Sequence, residues 1–105
     1  MGRIKHKFHA KPVQEDGHHF PSKLEWKLYN QLLLQQKAGE VLFFLRQVPF
    51  HLPGGVKYVL DFLVFYTNGE VKALDAKGME TDTFTLKKKM VEDLYPIEIL
   101  VIKKV

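Results

Sequence analysis

An almost uninterrupted apolar run from Val56 to Tyr66 constrains the fold of this chain more than any other segment. Its β-branched and aromatic residues favour a strand, and apolar side chains at odd and even positions indicate cover on both faces. The dipeptide Asn68-Gly69 that follows is typical of hairpin turns, and Glu70 to Lys77 then predicts a second strand. The rest of the chain must therefore supply layers on both sides of a sheet.

The remaining periodic segments supply those layers. Leucines at helical spacing follow the capping residue Ser22 and continue to about Gly39, and Thr83 to about Tyr95 predicts a second helix. Val41 to Leu52 predicts a strand, and Ile97 to Ile102 predicts a last one, parallel to its neighbour because a helical crossover precedes it. The predicted fold class is α/β, with the order αβββαβ and a mixed four-stranded sheet flanked by helices.

Length and composition fit one such domain. With 105 residues the chain can bury one modest core, so we predict a single domain over 1–105, with a basic arm or short hairpin at 1–20 and the core at 21–105. No apolar run approaches the roughly 20 residues that cross a bilayer, and residues 1–11 show no signal-peptide pattern. We therefore expect a cytoplasmic protein without membrane contact. The absence of cysteine leaves carboxylates and histidines as candidate metal ligands.

Two carboxylates lie near the predicted hairpin, and the length of its loop decides whether they can cooperate. With a two-residue loop, Asp61 lies opposite Ala76, and the carboxylates of Asp61 and Asp75 point to different faces. With a three-residue loop that ends on a left-handed Gly69, Asp61 lies opposite Asp75 with Cβ atoms roughly 5 Å apart, and Lys77 shares their face. We predict the second register, because like charges placed opposite each other indicate a bound cation.

Glu25 is the third candidate ligand. A helical wheel puts it near the centre of an apolar stripe, which indicates a side chain that points inward at the sheet. The alternative is a capping box, in which the carboxylate reaches back to the amide of Ser22. The stripe comprises Leu24, Leu28, Tyr29, Leu32 and Leu33.

Oxygen ligands without cysteine favour Mg²⁺ or Mn²⁺ over zinc, and such an ion polarises a phosphate and acidifies an attacking water. Lys77 could orient that water or neutralise charge that develops on the phosphate, although a lysine at a strand end is also common in solvent. Four histidines, His6, His9, His18 and His19, form a cluster without a metal-ligand spacing, so we do not assign them to the site.

Lys87 interrupts the predicted buried stripe of the second helix. Its ammonium could reach a phosphate, or it could extend to water while its stem packs. Lys88 and Lys89 are predicted to point further outward. The predicted stripe consists of Leu86, Met90, Val91 and Leu94.

Glu25, Asp61, Asp75 and Lys77, in this order of elements, resemble the motif of the PD-(D/E)xK nuclease superfamily. The restriction-endonuclease-like core of that superfamily is αβββαβ, with a helix glutamate, an aspartate on the second strand and (D/E)-x-K on the third. Leu60 stands where the proline of the motif is expected. The resemblance implies metal-dependent hydrolysis of DNA by these four residues, with Asp61, Asp75 and Glu25 as Mg²⁺ or Mn²⁺ ligands and Lys77 beside the attacking water.

Most of the chain also resembles a small phage-encoded branch that is likened to Holliday-junction resolvases. The matching stretches are Ala10-Lys11-Pro12-Val13, Asp16-Gly17, Phe20-Pro21-Ser22-Lys23-Leu24-Glu25, Gln47-Val48-Pro49-Phe50, Asp75-Ala76-Lys77-Gly78, and Phe84 with Lys87 and Lys89. This resemblance implies junction DNA as the substrate in an infected or host bacterial cell. It also implies DNA contacts from Lys11, Lys23, Lys87 and Lys89.

A chain this short leaves little room for parts that read a DNA sequence, which favours structure-selective cleavage. A homodimer would place two sites against two strands, as symmetric cutting of a junction requires. Two alternatives remain: a general phage nicking or degrading nuclease, and a non-catalytic DNA-binding protein that retained the fold.

Overall fold

The computed structural model describes residues 13–15 and 17–105. Lys11, His6 and His9 lie outside the described residues. The strands are β1 (Val13–Glu15), β2 (His18–Phe20), β3 (Val41–Leu52), β4 (Val56–Tyr66), β5 (Val71–Ala76) and β6 (Ile99–Ile102), and the helices are α1 (Lys23–Lys37) and α2 (Asp82–Leu94). A single 3₁₀ turn, Pro53–Gly55, joins β3 to β4.

The main sheet has the strand order β3-β4-β5-β6. Strands β3, β4 and β5 pair antiparallel, and β6 pairs parallel to β5 after the α2 crossover. Strands β1 and β2 form a separate antiparallel hairpin, one of the two alternatives predicted for the N-terminal segment. The structure thus confirms the α/β fold class, with a mixed four-stranded sheet and the order αβββαβ.

The core consists of two apolar clusters, one that includes residues of α1 and one that includes residues of α2. The α1 cluster contains the fully buried Phe20 of the N-terminal hairpin together with Leu28, Tyr29, Leu32, Val41, Phe62, Val64, Leu74 and Ala76. The α2 cluster contains Leu52, Tyr58, Leu60, Ala73, Phe84, Val91 and Ile99. Strand β4 contributes to both clusters, with Phe62 and Val64 in the first and Tyr58 and Leu60 in the second.

Helix α1 begins as predicted, because the Ser22 hydroxyl accepts a hydrogen bond from the backbone N–H of Glu25 at 3.1 Å. Three of the predicted stripe residues, Leu28, Tyr29 and Leu32, are buried, and Leu24 is half-buried. The prediction for Leu33 was wrong, since this side chain is 37% exposed. It lies 100° around the helix from Leu32, beyond the width of the contact with the sheet.

The predicted buried face of α2 was also wrong in part. Leu86 and Leu94 are 61% and 55% exposed, whereas Phe84 and Val91 are buried. Phe84 packs into the cluster below the helix and fixes its rotation, so Leu86, two residues later, points to nearly the opposite side. Lys88, which was predicted to point outward, is half-buried instead and pairs with a glutamate of the next turn.

The turn between β4 and β5 has the predicted three-residue loop. Tyr66 N–H donates to the Glu70 carbonyl at 2.9 Å, and Gly69 N–H donates to the Tyr66 carbonyl at 3.0 Å. Gly69 has φ +93°, the left-handed conformation that the bulge requires. The resulting register pairs Phe62 with Leu74, so the next step places Asp61 opposite Asp75.

Replacement of Gly69 by alanine is expected to lower the free energy of unfolding by about 1–2 kcal/mol. A Cβ at this position meets no atom within 4 Å, so the cost comes from the backbone conformation alone. Urea denaturation measures it. The matched control is Gly78→Ala, where φ is not positive and the space is also open, and an equal loss in both variants would contradict the prediction.

Candidate active site

Strand β4 changes the face to which its side chains point at Asp61. Phe62 and Val64 pack in the α1 cluster, whereas Tyr58 and Leu60 pack in the α2 cluster. In a regular strand, residues two apart share a face, so the strand must turn between Leu60 and Phe62. Asp61 occupies this turning point, between the two layers of the protein.

The carboxylates of Asp61 and Asp75 lie between strands β4 and β5 and replace backbone pairing there. Asp61 N–H donates to Asp75 Oδ1 at 3.3 Å, and Ala76 N–H donates to Asp61 Oδ2 at 2.9 Å. The two aspartates therefore come together in the register predicted from the sequence. The Tyr58 hydroxyl donates a further hydrogen bond to Asp75 Oδ2.

Glu25 points inward from α1 to strand β3. Its Oε2 atom lies 3.0 Å from Gln47 Nε2 and 3.3 Å from Arg46 Nη2. The Arg46 guanidinium also lies 4.2 Å from the centroid of the Phe20 ring, which anchors it beneath the N-terminal hairpin. Ser22 caps the helix, as noted above, but the carboxylate of Glu25 faces the sheet.

The positive charge of Lys77 lowers the pKa of each of the three carboxylates, which puts Lys77 within electrostatic range of them. Its backbone N–H donates to the Ile102 carbonyl of β6 at 3.0 Å, and its Nζ atom lies 5.2 Å from the centroid of the Phe84 ring. The structure thus brings Glu25, Asp61, Asp75 and Lys77 into one region.

Burial makes this group of carboxylates electrostatically unusual. Glu25, Asp61 and Asp75 are 2%, 7% and 0% exposed. Burial, and next the charge of Asp61, raises the pKa of Glu25 to about 7. Burial likewise raises the pKa of Asp75 to about 6 and raises the pKa of Asp61. Lys77 and Arg46 only partly offset this, so a further positive charge would stabilise the ionised site.

The donor chemistry suits a divalent cation, because carboxylate oxygens are the preferred ligands of Mg²⁺ and Mn²⁺. A carboxylate has about four lone-pair positions, and the donors around Asp61 and Asp75 use only some of them. Residues 13–15 and 17–105 contain no group of three or more acidic or histidine side chains that could hold a metal ion. The metal-ligand roles of Asp61, Asp75 and Glu25 therefore stay predictions.

In EDTA, the free energy of unfolding is expected to fall by roughly 3–4 kcal/mol from pH 5 to pH 7 because of Glu25 and Asp75. Their folded pKa values of about 7 and 6 lie above the ordinary values of 4.5 and 3.8. The folded state consequently binds more protons, and the stability that this provides at low pH is lost as pH rises through 6 and 7. Urea denaturation across this range measures the change.

The double variant Glu25→Gln, Asp75→Asn is the control for this pH dependence. Its amides resemble the protonated carboxyls in shape but do not titrate, so its stability should change less between pH 5 and pH 7. A wild-type slope no steeper than that of the double variant would contradict the prediction.

Sequence reasoning missed three side chains that contact the carboxylates: Arg46, Gln47 and Tyr58. The turn at 53–55 pairs Leu52 with Val56, and this register places Gln47 opposite Asp61. Counting residues along both strands from the Pro53-Gly54-Gly55 turn would therefore have predicted that Gln47 lies opposite Asp61. No comparable signal identifies Tyr58, because its contact with Asp75 depends on the change of face in β4.

The lysines predicted to contact DNA are spread over the surface. Lys23 and Lys89 are exposed, and Lys87 is half-buried, with its Nζ atom 3.5 Å from the Lys57 carbonyl at the start of β4. Lys11 lies outside the described residues. Among residues 17–105, cavities of about 240 and 380 Å³ lie elsewhere, and neither of these is lined by Glu25, Asp61, Asp75 or Lys77.

Comparisons with known proteins place the chain in a family. A family model described as "Protein of unknown function (DUF1064)" matches residues 5–104, so the chain belongs to this family. No curated protein and no solved structure matches it. Within the described part of the chain, no helix is long and apolar enough to cross a membrane.

Proposed function

We propose that this DUF1064 family member is a metal-dependent DNA endonuclease. The observation that carries the proposal is the close approach of two buried aspartates, Asp61 and Asp75, whose carboxylates accept hydrogen bonds across adjacent strands next to Lys77. Such a group is costly to bury without positive charge, and a bound cation would stabilise it. The resemblance to the PD-(D/E)xK motif supports the same assignment.

Asp61 and Asp75, assisted by Glu25, would hold Mg²⁺ or Mn²⁺, which when bound supplies Lewis acidity toward a phosphate and acidifies a water. The Lys77 ammonium adds positive charge where the phosphate gains negative charge. The backbone N–H of Ala76 and the hydroxyl of Tyr58 hold the two aspartates in place. Preorganised groups of this kind need little rearrangement when the reaction takes place.

Two features favour a polyanionic polymer as the substrate. The formal net charge is +4, and the exposed Lys23 and Lys89 and the half-buried Lys87 could contact phosphates. The DNA contact of Lys11 stays a prediction from the sequence. Small-molecule sites are commonly enclosed pockets, and the carboxylates line neither of the two cavities. A polymer backbone that lies along the surface beside strands β4 and β5 fits this arrangement better.

Within this class we favour junction-selective cleavage by a homodimer. Strand β3 is an edge strand whose Phe43 and Leu45 are about half exposed, as is Val71 of β5. An exposed apolar surface of this kind is suited to self-association. Sedimentation of the wild type and of Phe43→Glu tests this part: the wild type is expected to be a dimer and the variant a monomer.

Cleavage of labelled four-way junction, linear duplex and single-stranded DNA, in Mg²⁺ and in EDTA, tests the proposed function. Paired cuts confined to the junction and dependent on the metal would support a resolvase. Metal-dependent cutting of all three substrates would instead support a general nicking or degrading nuclease. Binding without cutting, even in Mg²⁺, would favour the non-catalytic DNA-binding protein.

A further inference from the structure

Gln47 has an unusual backbone conformation in the middle of strand β3. Among the described residues it is the only one other than glycine with a positive φ, at +53°. Left-handed backbone is strained for a side chain with a Cβ, and such strain is concentrated at functional sites. The β3–β4 pairing runs through Arg46–Phe62 and resumes at Val48–Leu60, so the interruption lies where Gln47 faces Asp61.

The strained residue also changes the face of its own strand. Phe44 packs against the α1 cluster, whereas Val48 and Phe50 pack against the α2 cluster. All three have even numbers and would share a face in a regular strand. The left-handed turn at Gln47 therefore accompanies the change of face at Asp61 on β4, and it directs the Gln47 side chain at the carboxylates.

The amide of Gln47 connects two carboxylates that come from different layers. Its Nε2 atom lies 3.0 Å from Glu25 Oε2 on helix α1 and 3.5 Å from Asp61 Oδ1 on strand β4. An amide nitrogen has two hydrogens, one for each carboxylate, and carries no charge. Gln47 thus fixes the distance between Glu25 and Asp61 without neutralising either one.

We infer that Gln47 is a positioning residue, whose left-handed backbone and bridging amide hold Glu25 against Asp61 at the spacing on which divalent-cation affinity depends. This inference rests on the proposed function, since it assigns Gln47 to the same site. Groups that orient metal ligands typically contribute about 10- to 100-fold in metal affinity or activity. Loss of the amide should therefore weaken cation binding while the fold stays intact.

Two variants separate the backbone of Gln47 from its side chain. Gln47→Gly removes the amide and relieves the strain, because glycine adopts positive φ without cost, whereas Gln47→Ala removes the amide and retains the strain. In EDTA, the Gly variant is expected to melt at a temperature at or above that of the Ala variant. Both are expected to bind Mn²⁺ about 10-fold more weakly than wild type by titration calorimetry.

Gln36→Ala is the matched control. Gln36 also donates to β3, at the Leu42 carbonyl, but outside the carboxylate region. Its loss is expected to leave Mn²⁺ affinity within twofold of wild type. In cleavage assays the Gln47 variants should show a lower kcat with little change in KM for DNA, since DNA contacts are not removed.

The outcomes distinguish the inference from the function on which it rests. If the wild type binds Mn²⁺ and the affinities of both Gln47 variants for Mn²⁺ are within twofold of the wild-type value, the positioning role is overturned and the proposed function stands. If the wild type binds no Mn²⁺ at all, the proposed function fails, and the role of Gln47 fails with it. Weaker binding in both Gln47 variants, with Gln36→Ala unchanged, supports the inference.

Discussion

Replacement of Asp75 by asparagine is expected to reduce metal-dependent DNA cleavage by about 10³-fold without destabilising the protein. The loss follows from the several kcal/mol of charge stabilisation that a held metal ion supplies, at about 1.4 kcal/mol for each factor of ten in rate. Asp61→Asn should have a similar effect. Initial cleavage rates under single-turnover conditions measure both losses.

The second part of this prediction concerns the stability of the Asp75→Asn variant. Asp75 is fully buried and its pKa is raised to about 6, so its negative charge destabilises the metal-free fold at neutral pH. The neutral amide should therefore melt in EDTA at or above the wild-type temperature. Asp93→Asn, on the exposed side of α2, is the control and should cleave like wild type. Full activity in both active-site variants would contradict the assignment.

Replacement of Lys77 by methionine is expected to lower kcat by about 10²-fold while metal binding persists. Removal of one preorganised group that stabilises transition-state charge costs about 10²–10³ in rate. Methionine keeps an unbranched side chain of similar length next to the Phe84 ring, so we expect the fold to be preserved. The charge of Lys77 lowers the pKa of Glu25, Asp61 and Asp75, so its loss should shift the acidic limb of the pH–rate profile upward.

Lys37→Met, at the exposed end of α1, is the control for loss of a positive charge. It is expected to keep the wild-type kcat and the wild-type pH profile. A Lys77→Met protein with an unchanged profile, or one that loses activity only through a higher KM for DNA, would place Lys77 in DNA binding instead of catalysis.

The sequence allowed the fold to be predicted because its local signals agree with one another. The turn residues Pro53-Gly54-Gly55 and Gly69 each separate two apolar segments and so predict the two hairpins, and Ser22 marks the start of α1. The three-residue loop at Gly69 also determines the register of Asp61 and Asp75, so this part of the candidate site could be counted from the chain.

The rest of the site depends on tertiary structure. Positive φ at Gln47 contradicts its local preference, so no local sequence signal indicates it. The approach of Tyr58 to Asp75 requires the same change of face. The prediction of the buried face of α2 was partly wrong because burial of Phe84, in the first turn, sets the rotation of the helix and leaves Leu86 and Leu94 exposed.

The position of a bound Mn²⁺ tests the central claim most directly. Anomalous scattering from crystals grown with Mn²⁺ would locate the ion independently of any activity. We expect a peak within coordination distance of the Asp61 and Asp75 carboxylates, absent in Asp75→Asn. A Mn²⁺-dependent nuclease whose crystals show the ion elsewhere, with none at these aspartates, would contradict the account.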